Sequence, residues 1–564
     1  MANIAKKNIY DAIVVGSGIS GGWAAKELTE KGLRTIVLEA GRPINPAQDY
    51  TEHVPPWELH HRGRLDPKQS QEQFIQKNSG ACDGFAGKFF VSDKENPYSF
   101  DSNQPFHWIR GRQVGGRSIT WGRQVYRWSD LDFEANHREG IAVDWPIRYP
   151  DIASWYDYVE EFAGISGQAE HLPHLPDGKF LPAMAMNCAE LAVREAIQKK
   201  FNRQRLLTIG RTAVLTENHK GRLACHYCGP CERGCITRSY FSSLNATLPA
   251  AAATGRLTLR PHSVVHSVLY DEKSDRATGV RVIDGQTREE IEIYGRVIFL
   301  CASALESVRI LLNSASRRFP HGLANSSGVL GRYVMDHTMG GGAVGTLPGL
   351  EEHDYFSQRP NGIYVPRFRN VNDEFPAFQR GYAFQGRAFR ERWERGVALK
   401  GFGADFKKSL KGYGPWRTVF YGFGECLPRH SNFVEIDPNL RDHWGIPALK
   451  IQVGWSENER AMLKDMSDTA VELLEAAGAR DLTPFIEDNP PGLTIHEMGG
   501  ARMGRDPKTS VLNGHNQAHD VKNLFVTDGA CMTSSACQNP SLTYMALTAR
   551  ACDFAVKQMR EGHI

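Results

Sequence analysis

The sequence predicts an α/β protein in two parts, a Rossmann-like doubly wound unit and a second unit of β-sheet plus helix. Three observations carry that expectation. A β-branched run, Tyr10 to Val15, leads through a glycine-rich turn into a helical stretch, Gly22 to Lys31, and a second apolar run, Thr35 to Leu38. This is a strand, helix and strand of about the 30 residues that a parallel crossover needs. Strand-like and helix-like segments alternate again at Leu257 to Val268, Glu290 to Leu300 and Ser303 to Asn313. Between Gly340 and Pro447 short extended runs alternate with Gly and Pro, as in an antiparallel sheet.

Taken in order, the first unit contains the turn DAIVVGSGISGG, which sets Gly16, Gly18 and Gly21 in GxGxxG spacing after a strand and at the mouth of a helix. In such a turn the first glycine permits the bend and the second lets backbone N–H groups approach a pyrophosphate at the positive helix end. The third allows close helix packing. Glu39 closes the second strand 18 residues after Gly21, where a carboxylate can accept hydrogen bonds from a ribose. The plain alternative is a glycine turn with no ligand, and Glu39 alone does not separate FAD from NAD.

From Pro43 to about Phe106 proline, glycine and polar residues dominate, which predicts long surface loops. A second glycine-rich stretch, Arg110 to Trp121, precedes a segment rich in Trp, Tyr and acids with a helix expected at Ile152 to Ala163. Another helix is expected at Asn458 to Ala476, its buried face marked by Leu463, Met466, Ala470 and Leu474. The tail from Pro491 reads as strand and loop ending in a helix, Ser541 to Met559. No internal repeat or low-complexity tract interrupts the chain.

At 564 residues, two domains are expected. The 41% hydrophobic and 23% charged content is that of a globular protein. With 67 basic and 64 acidic residues intermixed, the formal charge of +3 leaves no footprint for a nucleic-acid backbone, so a small or neutral substrate fits better. No apolar run approaches the roughly 20 residues of a membrane span; the best, Val297 to Leu305, stops at Glu306. Met1 to Tyr10 has two lysines but no hydrophobic region, twin arginine or cleavage site, so no export signal is expected on this chain.

Three later motifs carry a resemblance that extends over nearly the whole chain. They are RGRQVGGRSITWG (Arg110 to Gly122), VIFLCASALESVRILLNS (Val297 to Ser314), and a C-terminal pair, HEMGGARMG from His496 and NLFVTDGACMTSSACQNPSLTYMA from Asn523. With the first glycine turn they resemble the glucose/methanol/choline (GMC) oxidoreductases. The resemblance implies the GMC fold, with a discontinuous FAD-binding domain in 1–50, 100–125, 205–335 and 494–564. It puts the substrate-binding domain and surface loops in 51–99, 126–204 and 336–493.

By that resemblance FAD lies along Gly16, Gly18, Gly21 and Glu39, and along Gly115, Gly116, Ser118 and Thr120 of the second glycine segment. The backbone of Val265 would bond the adenine, and Asp528 with Gly529 would meet the ribityl chain and phosphates. Pro540 and Ser541 open the last helix, whose positive end stabilises charge on the reduced flavin. Some members attach FAD through a histidine at the place of Thr120, so non-covalent FAD is implied here.

Oxidising an alcohol requires a group to take the hydroxyl proton, and histidine titrates near the operating pH. His496 matches the family's base and Asn539 its second position, where an amide orients the same hydroxyl. The Gly499-Gly500 turn after His496 would let the backbone fold closely against the flavin. A hydrogen-bonded core histidine is the bland alternative for any of the 20 histidines. His443, His515 and His519 lack comparable context, and Asp336 with His337 reads as structural rather than catalytic.

Four of eleven cysteines, Cys225, Cys228, Cys231 and Cys235, fall within eleven residues. Their CxxCxxCxxxC spacing is like that of ferredoxins and points to metal, with zinc and disulfides as competitors. Cys225, Cys231 and Cys235 also reproduce the spacing of iron–sulfur members of the family, which implies a [3Fe-4S] cluster that carries electrons away. The segments Gly115 to Phe133 and Asp144 to Glu160 most resemble bacterial glucoside 3-dehydrogenases. That implies oxidation of a sugar C3 hydroxyl, a small partner subunit, and a cytochrome or other acceptor.

Gluconate, polyol or glucose dehydrogenases and pyranose oxidases of the same family remain open. So do an NAD-dependent dehydrogenase and an electron-relay flavoprotein. The compartment is cytoplasmic, or periplasmic by co-export with a partner.

Overall fold

In the computed structural model, which describes residues 9–55, 58–202, 204–354 and 358–564, the strand Ile9–Val15 runs parallel to Thr35–Leu38 on one side and to Glu290–Leu300 on the other. Leu257–Arg260 extends this parallel sheet beyond Thr35–Leu38, and Leu524–Val526 joins the far end of Glu290–Leu300. The early half of Glu290–Leu300 instead pairs antiparallel with Arg276–Asp284, which pairs with Ser263–Asp271.

Both faces of the parallel strands are covered, which is why their sequences are apolar without alternation. Ala12, Val14, Val37, Val297 and Phe299 pack under the helices Ile19–Glu30 and Ser541–Arg560. Ile13, Val15, Ile298 and Leu300 face the opposite core, with Leu305 and Val308 of the helix Ala304–Leu312.

The run expected as one strand from Leu257 to Val268 is two. Pro261 has no N–H to give, and His262 turns with φ +53°, so Leu257–Arg260 and Ser263–Asp271 join different partners. The stretch expected to be surface loop packs inward in part: Phe85, Ala86 and Phe89 are buried. Its backbone is satisfied from within, as Ile75 N–H donates to Asp93 Oδ2 at 2.7 Å and Gln76 Nε2 to Trp108 O at 2.9 Å. One helix not expected, Cys188–Phe201, begins with a capping box of Asn187 and Glu190, a signal present in the sequence.

The second unit is an antiparallel sheet in the order Arg480–Ile486, Thr338–Leu347, Trp416–Gly424, Tyr382–Arg390, Ile363–Val365, Thr208–Ile209. The helix Glu457–Ala476 covers one face, and the anticipated Leu463, Met466, Ala470 and Leu474 are buried there with Phe384 and Phe420. Gln385 pairs across with Tyr421, two residues from Phe423, so the pleat turns these side chains to the other face. Thr208–Ile209 completes this sheet although it falls within 205–335, a piece expected in the nucleotide-binding domain. Among the described residues no helix is long and apolar enough to cross a membrane.

Candidate active site

The first turn is built by glycine geometry. Gly16 has φ +94°, and a Cβ there would lie 2.4 Å from the carbonyl oxygen of Cys301. Gly21 packs against Gly16 O, whereas Gly18 has nothing nearer than Gly116 Cα at 4.0 Å and looks into open space. Glu39 is buried and braces the turn. Its Oε2 accepts from Ser17 N at 3.1 Å and Ser17 Oγ at 2.6 Å, and its Oε1 from Gly41 N at 2.9 Å. Burial pushes this carboxyl up, opposed by the bonds from Ser17 and Gly41. A carboxylate offers about four acceptor sites, so one remains on Oε1. Ser17 Oγ also accepts from Gly115 N at 3.0 Å, which ties the second glycine segment to the first.

One cavity of about 260 Å³ is lined by both glycine segments and by the C-terminal motifs. Gly16, Gly18, Glu39, Gly116, Ser118, Thr120 and Val265 contribute to its wall, as do His496, Asp528, Gly529, Asn539, Pro540 and Ser541. Gly21 and Gly115 do not. They shape the two turns from behind, because one is pressed on Gly16 and the other is bonded to Ser17.

Three helices, Ile19–Glu30, Ala304–Leu312 and Ser541–Arg560, start at this wall from Gly18, Ser303 and Pro540, and none has a side-chain cap. By contrast, Asn187 caps Cys188–Phe201. The unsatisfied first-turn N–H groups and positive dipole ends therefore converge where an anionic ligand would sit. Asp528 Oδ2 accepts from Ser307 Oγ at 2.5 Å, and burial pushes its pKa up to about 6.

The catalytic candidates stand in the same wall. Met335 and Met498 exchange backbone bonds at 2.8 and 2.9 Å, a bridge that brings the segment of Asp336 and His337 beside that of His496. Asp336 Oδ2 accepts from Gly492 N at 2.6 Å and its Oδ1 from His496 N at 3.1 Å, clamping the loop. Asp336 thus braces the loop that carries His496. His337 does more, since its Nδ1 lies 2.8 Å from His496 Nδ1 and its Nε2 3.1 Å from Ser535 O.

A carbonyl only accepts, so His337 Nε2 carries the hydrogen. Burial holds His337 down at about 4, so the ring is neutral and its Nδ1 is bare. His496 Nδ1 must then donate, which leaves the lone pair of His496 on Nε2. Burial, with His337 and Arg117 nearby, also holds His496 well below an ordinary imidazole. Neighbouring Glu497 is buried and paired with Arg117 Nη2 at 2.8 Å; burial pushes the carboxyl up against the pull of Arg117.

Gly499 corrects one expectation. Its φ is +82°, and a Cβ would come within 2.1 Å of Tyr333 O. Gly500 likewise faces Val308, so the pair packs the loop against its own support and not against the cavity. Asn539 Oδ1 accepts from Gln385 Nε2 at 2.7 Å. Gln385 was not anticipated, and His337, read from the sequence as structural, was not expected to bond to His496. His337 sits in a stretch with only a weak signal, and Gln385, alone in a strand, has none. Arg117 lay inside the glycine motif, and its partner Glu497 directly follows His496.

The cysteine loop differs from expectation. Cys225, Cys228, Cys231 and Cys235 are free thiols, and among the described residues no three His, Cys, Asp or Glu are placed to hold a metal ion. The sulfurs are engaged locally. Cys225 Sγ accepts from Tyr227 N at 3.4 Å, Cys235 Sγ contacts Thr237 Oγ1 at 3.3 Å, and Cys228 is exposed. These residues do not fit an iron–sulfur cluster in this arrangement.

A parallel sheet with a glycine turn at its edge and a cavity that ends in a histidine and an amide have the arrangement of a dinucleotide-dependent oxidoreductase. Two family models described as GMC oxidoreductase match residues 10–339 and 428–548, and the chain belongs to that family. It is an FAD-dependent oxidoreductase acting on CH–OH groups.

The 2-methyl-1,2-propanediol dehydrogenase of Mycolicibacterium austroafricanum is 29% identical over 98% of this chain and 96% of its own length. The fructose dehydrogenase large subunit of Gluconobacter japonicus is 24% identical over 98% of both chains. In fold, pyridoxine 4-oxidase from Mesorbium loti superposes with a TM-score of 0.59 at 16% identity, covering 98% of this chain and 99% of that one. FAD fits the residues present: uncapped helix ends for its phosphates, an open approach at Gly18, and a spare acceptor on Glu39.

Proposed function

We propose that this protein is a dehydrogenase of sugar or polyol hydroxyls, with His496 as base and Asn539 as hydrogen-bond donor to the reacting oxygen. One observation carries the reading: the bonds to His337 and Gln385 leave His496 with a bare Nε2 and Asn539 with a free Nδ2 in the wall that also holds the nucleotide turn. A hydroxyl satisfies both at once, donating to the imidazole and accepting from the amide.

Glu39 would hold the ribose, and the turn Gly16 to Gly21 with Gly116 and Ser118 the pyrophosphate. The backbone of Val265 would hold the adenine, and Thr120, Asp528, Gly529, Pro540 and Ser541 the flavin half, without a covalent link. When bound, FAD supplies the hydride acceptor. As the carbon gives up hydride, the O–H proton passes to His496 Nε2, and Asn539 Nδ2 stays bonded to the oxygen that becomes the carbonyl. His496 is neutral beforehand because burial disfavours its charged form, so it is ready to take that proton.

For the oxidised carbon we propose C3 of glucosides, supported by the resemblance of 115–133. The named substrates of the diol and fructose dehydrogenases support a hydroxyl substrate in general. The large-subunit name of the fructose enzyme supports a partner subunit and an acceptor outside this chain. No electron step is routed through the cysteine loop, where among the described residues no three ligands are placed to hold a metal ion. The test is NMR identification of the product from methyl glucoside with an artificial acceptor. A 3-keto product supports the reading, a keto group at C1 or C2 replaces the regiochemistry, and no oxidation of any sugar or polyol refutes the function.

A further inference from the structure

Asn539 belongs to the C-terminal motif, but its orientation is set from the other sheet. Gln385 lies in Tyr382–Arg390, paired with Tyr364 on one side and Tyr421 on the other, so its backbone is fixed by ladders on both flanks. Its Nε2 donates to Asn539 Oδ1 at 2.7 Å. A primary amide presents an acceptor at one end and a donor at the other, and rotation by half a turn exchanges them at little steric cost. With Gln385 Nε2 as donor the bond occupies the acceptor of Asn539 and leaves its donor for the cavity, whereas turning both amides together would exchange the roles, and the Gln385→Glu variant separates the two arrangements. Were the amide reversed, Oδ1 would face an oxygen that gains negative charge as its proton leaves, lone pair against lone pair.

We propose that Gln385 is a positioning residue that fixes the orientation of Asn539 and thereby restricts the site to groups that donate one hydrogen bond and accept another. This rests on the reading of His496 and Asn539 given above. It names the substrate class by chemistry: a neutral hydroxyl meets both demands, while a protonated amine at the reacting carbon has no lone pair for Asn539 Nδ2 and is rejected. Gln385 is also placed to sense the substrate. It lines a cleft of about 440 Å³ on the free face of the second sheet, with Tyr421, Phe423 and Gln124. Gln124 lines the main cavity too, and the Phe423 ring stands 6.4 Å from that of His496. A polyhydroxylated molecule filling this cleft would lie against the Gln385 to Asn539 bond.

Two variants test the proposal on the FAD-loaded protein. Gln385→Met keeps the length and removes the donor. kcat for methyl glucoside should fall about tenfold, the scale of one hydrogen bond, with flavin content and melting temperature near wild type. Gln385→Glu should fall further at pH 8, where the carboxylate turns the amide around. It should recover as pH falls towards 5 and the carboxyl regains a proton to donate, an acid recovery absent from wild type.

A second readout needs no turnover: the Kd of cyclohexanone, which has no hydroxyl and whose keto oxygen only accepts, followed by flavin absorbance, should rise about tenfold in Gln385→Met. Equal kcat and Kd in Gln385→Met and wild type, or a Gln385→Glu loss that does not change between pH 5 and 8, overturns the proposal. If wild type oxidises no sugar or polyol, the proposed function fails by itself, while the cyclohexanone affinities still decide the role of Gln385.

Discussion

In the proposed mechanism His337 touches no substrate yet fixes which nitrogen of His496 would take the proton. Replacing His337 by Leu preserves bulk and removes the acceptor 2.8 Å from His496 Nδ1. When His496 takes a proton in the transition state, the hydrogen bond that it loses is one from a charged donor, worth about 1.5–3 kcal/mol. At about 1.36 kcal/mol per tenfold, flavin reduction should slow by roughly ten- to a hundredfold. kcat and kcat/KM should fall together, because the bond strengthens only as charge develops.

His337→Asn puts an amide oxygen near the place of Nδ1 and should recover most of the rate. The assay is anaerobic stopped-flow reduction of the bound flavin, with flavin content and melting temperature as controls. A His337→Leu protein that reduces at the wild-type rate refutes the reasoning. So does a His337→Asn protein as slow as the Leu variant with its flavin intact, since packing would then explain the loss.

Three further outcomes are expected. His496→Ala should keep FAD and lose most turnover; near-normal rates of flavin reduction would remove the base assignment. For pH, the folded pKa of His337 is about 4 against about 6.5 unfolded. The unfolded chain thus binds the extra proton in that window, so this group's stability contribution is complete above 6.5. About 3 kcal/mol is lost as pH falls to 4; urea midpoints from pH 4 to 7 should show the slope in wild type and a weaker one in His337→Asn. In the cysteine loop exposed Cys228 should react first with a thiol reagent on the native protein. Four unreactive thiols accompanied by iron and sulfide would show that the loop closes on a cluster.

The parallel sheet was legible because its signal is local. A β-branched run, a glycine turn and a helix occupy adjacent residues, and the C-terminal strand carries its own motif. The 257–268 run was misread because one proline and one positive φ outweigh twelve residues of strand propensity. The stretch after Pro43 read as surface because its burial rests on Asp93 and Gln76 satisfying distant backbone, which no periodicity records. Within the site, residues in glycine motifs could be named, and Gly21 packs closely as its place in the turn predicts, yet Gly115, Gly499 and Gly500 support turns instead of lining the cavity. His337 and Gln385 act through bonds that span 159 and 154 residues, a separation at which one sequence holds no information on contact.

That division explains how the site stays neutral where it reacts and charged where it is braced. The loop bearing His496 follows Ile495, which holds φ +61°, a conformation a β-branched side chain adopts only when its surroundings impose it. The imposition is ionic. Asp336 grips the backbone at Gly492 and His496, Arg117 grips Ile495 O at 3.4 Å and the Glu497 carboxylate, and both acids are buried. A charge directly bonded to the imidazole would change its affinity for a proton, and the structure provides a neutral histidine instead. Removing Arg117 would leave Glu497 buried and unpaired at a cost of about 3–5 kcal/mol. Arg117→Met should therefore weaken folding and displace His496 together, whereas Arg117→Met combined with Glu497→Gln should regain stability. A double variant no more stable than Arg117→Met alone would mean that the ion pair does not hold the strained turn.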